Sequence, residues 1–472
     1  MYFGGQFSLK LKGMFLQQKN KTILLTTLSV IFYFLTAYYL DRTNFLQLLV
    51  QYSILFIPFF YFIKNERNNF TFLVSLAIIL RLIFLIAVPN LSQDFYRFIW
   101  DGRMILEGLN PYLYLPETFI SQNELPVKQA VELYNGMGSL NGSHYTNYPP
   151  INQLNFFIAA FFANSSIIGS IIVLRLQIIF ADIGIIYFGK KILEKLKLPV
   201  HHIFLYALNP FIIIELTGNL HFESVMIFFL VWSLYLILQK KWSLAALIFS
   251  LSVAVKLIPL LFLPIFYQWF TKNNKREGIL KFLSFGAITV LLTTLLFLPF
   301  LSSDLLDNYS NSIGLWFQKF EFNASIYYIA RELGTLFRGY NEIAIIGKII
   351  PVIVVFVLLI ITFFRKNKSP QQLITGLLMG VSFYYFTTTT MHPWYLATLV
   401  ILSVFTSYRF PIVWSFVIIL SYQAYANTPW QENFWFIVLE YLIVYGYLFW
   451  EIIRQKKKFN INKKSSVDSI IY

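Results

Sequence analysis

Continuous apolar runs decide what this chain can be. "TILLTTLSVIFYFLTAYYL" and "GILKFLSFGAITVLLTTLLFLPF" each reach the roughly 20 residues that an α-helix needs to cross the hydrocarbon core of a bilayer. Such runs are continuous rather than alternating, which excludes a transmembrane β-barrel. Of 472 residues, 57% are hydrophobic and only 12% charged, too apolar for a soluble globular domain. An all-α polytopic membrane protein is expected. The chain has no cysteine, so disulfides and thiolate chemistry are excluded. The first apolar run opens near Thr22, after Lys10, Lys12, Lys19 and Lys21, and continues to spanning length, so no cleavable signal is expected.

The net charge of +15 does not point to nucleic acid, because the basic residues fall in short clusters between spans, where they set topology. Spans are expected near 22–40, 45–63, 70–88, 167–189, 201–218, 221–239, 279–299, 343–364, 372–389, 393–407, 410–425 and 434–453. Alternate crossings place the basic loops 10–21, 64–69, 190–197, 239–242, 272–276, 365–368, Arg409 and 454–458 on the cytoplasmic side with both termini. Residues 151–165 read as a dipping or interfacial helix. Residues 243–270 start and end beside basic loops, and Pro259 and Pro264 break them into two short helices. The total is twelve or fourteen spans. The organisation is then an N-terminal segment with three spans (1–88), a first outer loop (89–150), a central bundle (151–300), a second outer loop (301–342), a C-terminal bundle (343–453) and a basic cytoplasmic tail (454–472). No internal repeat is evident, which argues against an inverted-repeat transporter.

This topology sorts the chemistry onto one side. The outer segments are 89–150, 300–342 and the junctions Gly218–Glu223, Thr387–Trp394 and Asn427–Asn433. They carry Asp94 and Asp101, His144, His221 and Glu223, Asp304 and Asp307, His392 and Glu432. A one-sided polar cavity is expected. The stretch "LSQDFYRFIWDGRMILEGLNPYLYLPE" (91–117) is the most charged of these. On a helix over 94–109, Phe95, Phe98, Ile99, Ile105, Leu106 and Leu109 share one arc, and Arg97, Arg103 and Glu107 lie on the other side. Asp94 and Asp101, seven apart, share a face at the edge of the apolar arc. Ser92 is the expected N-cap, and Gly108 with Asn110-Pro111 ends the helix. The helix is amphipathic and expected at the outer membrane surface. A carboxylate at such a boundary can have its pKa raised and act as a general base, and a neighbouring arginine can hold a phosphate.

"DFYRFIWDGRMILEGLNPY" (94–112), "YPP" (148–150), "NPFIIIELTGNLHFESVMIF" (209–228), "VKLIPLLFLP" (255–264) and "HPWYL" (392–396) stand in the order found in GT-C glycosyltransferases. The chain resembles the bacterial mannosyltransferase-like members of that superfamily, which use a polyprenyl-phosphate sugar. The resemblance implies that Asp94 is the catalytic base and that configuration inverts. It also implies a polyprenyl-phosphate hexose donor, mannose or a similar sugar, and a glycolipid, glycan or protein acceptor among membrane lipids. The place implied is a bacterial inner membrane, with the active site facing the periplasm or outside. The chain departs from one common pattern: Ser92, not an acid, stands two residues before Asp94. A divalent metal therefore stays open as a cofactor, and no metal ligand is assigned. Asp101 is either a second carboxylate for a metal or sugar hydroxyls, or a structural partner of Arg97 or Arg103.

The remaining candidates are substrate-binding ones: Arg97, Asp101, Arg103, His221, Glu223, Lys256, His392 and Trp394. His221 and Glu223 are two apart and diverge on a helix, which rejects a zinc pair. They are expected either to bind sugar or phosphate or to form an interfacial cap. His392 is expected at the donor phosphate and Trp394 against sugar or isoprenoid, or both in the interfacial aromatic belt. Lys256, inside an apolar run, contacts the lipid phosphate or snorkels to the interface. Arg81, Arg175, Asp182, Glu215 and Glu440 read mainly as structural ion pairs, with Arg175 and Asp182 on one helical face. The alternative function classes are a flippase or transporter and a polymerase or ligase of lipid-linked glycans. An acid-bearing outer helix after the third span favours the transferase.

Overall fold

The computed structural model describes residues 3–163, 165–427 and 430–468. The first two residues of the N-terminal segment, residues 428–429 of the Asn427–Asn433 junction and the last four of the basic tail lie outside the described residues. The chain is all-α. Its N-terminal part holds α1 (Phe3–Tyr39), α2 (Phe45–Asn65) and α3 (Phe70–Leu82). The first long connection contains α4 (Asp94–Leu106), α5 (Pro116–Ser121) and α6 (Ala130–Gly142). The centre comprises α7 (Pro150–Ala163), α8 (Ile167–Leu196), α9 (Phe204–Ala207), α10 (Pro210–Ile212) with a π-turn over Ile213–Gly218, α11 (Glu223–Leu238), α12 (Trp242–Val255), α13 (Tyr267–Thr271) and α14 (Lys275–Leu295). The second connection holds α15 (Leu305–Gln318) and α16 (Ile326–Arg338). Helices α17 (Ile343–Phe363), α18 (Pro370–Thr387), α19 (Ala397–Val404), α20 (Phe410–Val417) and α21 (Phe434–Asp468) close the chain.

Among the described residues, six helices are long and apolar enough to cross a membrane, and the pair Val200–Ala207 and Pro210–Gly218, bent by 49°, can make a seventh. Seven shorter apolar helices accompany them. The prolines act as the sequence predicts. Residues 243–270 form two short pieces, α12 and a 3-10 turn over Ile258–Phe262 leading to α13, because Pro259 has no amide hydrogen to continue α12. α7 is only 14 residues long and packs on α4 and α8. α3 is shorter than the expected 70–88 span; it ends at Leu82 and unwinds ahead of Pro89. Helix starts are set by short polar caps: Asn44, Asn69, Ser166 and Asn274 each accept a first-turn amide, and Ser369 forms a reciprocal capping box with Gln372.

Of the bundle charges, Arg81 and Asp182 form an ion pair, whereas Arg175, Glu215 and Glu440 are held by neutral partners, Glu215 by Tyr422 and Glu440 by Trp414. Arg175 and Asp182 do not meet. Seven residues span about 10 Å along a helix, and each finds a nearer partner on another element. Arg175 donates to the carbonyls of Leu85, Ala87, Thr217 and Gly218, where two broken helices end. Asp182 receives Arg81 Nε at 2.7 Å and the hydroxyls of Tyr206 and Ser224 at 3.0 Å each.

α4 differs from a helix resting on a surface, because its polar side is covered too. Arg97, Asp101 and Arg103 are fully buried. The helix lies between α6 and α7, and Gly102 sets its approach to α7. A Cβ at Gly102 would stand 2.2 Å from the Phe156 carbonyl oxygen, a backbone atom that cannot step aside. Gly102→Ala is therefore expected to push α4 off α7 and lower the thermal unfolding midpoint by several degrees, on the order of 1–3 kcal/mol for overpacking. An unchanged midpoint would mean that the α4–α7 contact is not rigid.

Candidate active site

The segments expected on the outer side converge on one cavity of about 780 Å³. The start of α4 contributes Asp94 and Arg97, and the end of α6 with the loop after it contributes Asn141, His144 and Tyr148. The turn before α11 adds His221, the break after α12 adds Lys256, and the junction after α18 adds His392, Trp394 and Tyr395. The other wall is apolar: Leu257, Ile258, Leu260 and Leu261 face Pro351, Val354 and Val355 of α17. Val352, Val355 and Phe356 are exposed on the outer surface of α17, so the apolar wall continues into the surface that lipid would cover.

Asp94 is the first residue of α4, and Gln93 rather than Ser92 is its N-cap. Ser92 still helps, since its Oγ accepts the Asp94 amide at 3.3 Å. The carboxylate looks into the cavity and its Oδ1 accepts from Asn141 Nδ2 at 3.2 Å. Burial raises its pKa above the ordinary carboxylate range. The Asn141 amide and then the Lys256 and Arg42 charges act in the other direction. His144 beside it is pushed down to about 4, by burial and then by Arg97, so it is neutral near pH 7. The Tyr145 carbonyl, 2.8 Å from Nδ1, can only accept, which places the His144 proton on that nitrogen.

Arg97 borders the cavity but is committed elsewhere. Its Nε donates to Asp101 Oδ1 at 2.8 Å, and its Nη1 to the carbonyls of Asn141 and His144. The other Asp101 oxygen accepts from Gln153 at 3.1 Å. Asp101 is thus Arg97's partner and does not reach the cavity. Arg103 points to the far side of α4, onto the Lys128 carbonyl and the Gln129 side chain. Asp101 takes the structural alternative, and Arg103 lies away from the expected substrate-binding placement, because a buried charge needs a partner and the nearest ones lie within the fold. What Arg97 and Asp101 do together is fix α6 against α4, and so Asn141 against Asp94.

His221 and Glu223 diverge as the spacing predicts. His221 lines the cavity; Glu223, the first residue of α11, turns away and pairs with Lys256. Lys256 is the extended residue that ends α12, and the orphan Val255 carbonyl beside it is capped by Asn152 Nδ2 at 3.0 Å. Trp394 stacks on His221 at 3.8 Å and on His392 at 4.5 Å. Trp394 also lines the cavity. Sequence reasoning missed Arg42, Asn141, Tyr384 and Tyr425 as cavity residues. Arg42 left one signal: it is a basic residue in a loop that the charge pattern puts outside.

In this all-α polytopic membrane protein Asp94 thus lines a cavity with one polar and one apolar wall. Residues 48–272 match the MptA_B family, described as alpha-(1->6)-mannopyranosyltransferase, N-terminal domain. The matched segment contains Asp94, Arg97, His221, Glu223 and Lys256, and it agrees with the resemblance drawn from the sequence. Over that segment the chain is similar to a mannosyltransferase family, which supports glycosyl transfer as its activity. The comparison with curated proteins finds no match.

Proposed function

We propose that this protein moves a mannosyl residue from a polyprenyl-phosphate donor to an acceptor hydroxyl at the outer face of a bacterial inner membrane. The reading is carried by one juxtaposition: Asp94 stands in the same cavity as an apolar wall that opens onto the lipid-facing surface of α17. An isoprenoid chain lies along Leu257–Leu261 and Val354–Val355, and its phosphate reaches the polar end. The acceptor oxygen attacks the anomeric carbon from the opposite side. Asp94 takes the hydroxyl proton, the bond between that carbon and the phosphate oxygen breaks, and polyprenyl phosphate leaves with the electron pair. Configuration inverts. The acceptor is a glycolipid, glycan or protein.

The flippase alternative expects a polar path through the bundle. The bundle charges Arg81, Arg175, Asp182 and Glu440 do not line the cavity and are held by Asp182, backbone carbonyls, Tyr206 and Trp414; Glu215, held by Tyr422, approaches it only through His221 at 3.8 Å. The test is donor choice in purified protein. Labelled mannose is expected to transfer from polyprenyl-phosphate mannose to a membrane-lipid extract, and not from a nucleotide-linked mannose. Transfer from the nucleotide sugar alone would overturn the reading.

A further inference from the structure

We infer that Arg42 is the phosphate ligand of this cavity, and that Lys256 is not; the inference rests on the function proposed above. Three cations border the cavity, and two are spoken for. Arg97 is bound to Asp101 and two carbonyls. Lys256 is paired with the buried Glu223, so its charge is offset where it stands. Arg42 forms no ion pair with a carboxylate among the described residues.

The loop carrying Arg42 is built to keep it so. Its neighbour Asp41 is turned into its own turn, where it accepts the amide and the hydroxyl of Thr43, both at 2.9 Å. The Arg42 guanidinium lies over the Tyr425 ring, 4.7 Å from its centroid, while Nη2 stands 3.5 Å from Gln93 Oε1. Gln93 is itself tied to the Met137 carbonyl at 2.9 Å. A guanidinium with one face on an aromatic ring keeps its in-plane N–H fork for a ligand, and that fork matches two oxygens of a phosphate. Arg42 and Asp94 line the same cavity, which places the bound anion near the base. The ligand chemistry is a phosphate ester, from the lipid donor or from a phospholipid-type acceptor headgroup.

The test uses full-length protein in phosphatidylcholine nanodiscs and reads tryptophan fluorescence, since Trp394 and Trp430 line the cavity. The probes are polyprenyl phosphate, the uncharged polyprenol and phosphatidylglycerol. Wild type is expected to bind polyprenyl phosphate at least about tenfold more tightly than the alcohol, the scale of a charge-assisted hydrogen bond. Arg42→Gln should lose that preference and Arg42→Lys should keep part of it. The Lys256→Met/Glu223→Gln double variant, which removes the pair together, should keep most of it. An Arg42-dependent response to phosphatidylglycerol instead would assign the same phosphate site to the acceptor. A preference that survives in Arg42→Gln would overturn the inference while leaving the donor reading intact. No preference in wild type would overturn both.

Discussion

Asp94→Asn is expected to lower mannosyl transfer by about a hundredfold or more, the usual contribution of a positioned general base, without unfolding the protein. The substitution keeps shape and keeps an oxygen to accept from Asn141, so α4 and α6 remain joined. What it removes is the group proposed to take the acceptor proton. The same residue sets a pH signature. A base must be deprotonated to act, and burial raises the Asp94 pKa, so kcat/KM should rise with pH through an acid limb above the ordinary carboxylate value of about 4. Asn141→Leu deletes the hydrogen bond that favours the charged form and should move that limb to higher pH. Transfer that survives in Asp94→Asn with an unchanged profile would remove Asp94 from the chemistry.

The parts of this molecule legible in the sequence are those that local chemistry determines. Apolar run length marked the helices, and Pro259 and Pro264 marked the broken segment. The charge pattern grouped the polar segments by an expected side, and the structure gathers Asp94, Arg97, His221, Lys256, His392 and Trp394 around one cavity. The illegible part is partner choice. Asp101 and Arg103 carry the same charges as their neighbours, but burial commits them to Arg97, Gln153 and Gln129. Arg175 finds carbonyls at the ends of two broken helices, and a pattern read along one helix cannot show those ends. Arg42 left only its charge in an outer loop; its platform, Tyr425, lies nearly four hundred positions away and no local pattern shows it.

Partner choice also predicts where the fold is most vulnerable. Arg81→Met is expected to destabilise the protein by about 3–5 kcal/mol, the cost of leaving a buried charge without its partner. Arg81 and Asp182 are both essentially inaccessible. Arg81 Nη1 also donates to the Ala207 carbonyl at 2.7 Å, so the pair ties α3 and α8 to the bent segment at the end of α9. After the substitution, Tyr206 and Ser224 still face Asp182, but no cation does. The carboxyl must take up a proton or draw in water. Arg81→Met/Asp182→Asn removes both charges and should recover most of the loss. The exposed pair Lys190–Glu194, at 3.9 Å, provides the contrast: Lys190→Met should stay within about 0.5 kcal/mol of wild type. Thermal unfolding of the four proteins in one detergent decides the matter. If the double variant falls as far as Arg81→Met, the stabilising contact is the one to the Ala207 carbonyl. The bent segment would then be held by helix-end capping, as Arg175 holds its other end, and charge pairing would have no part in it.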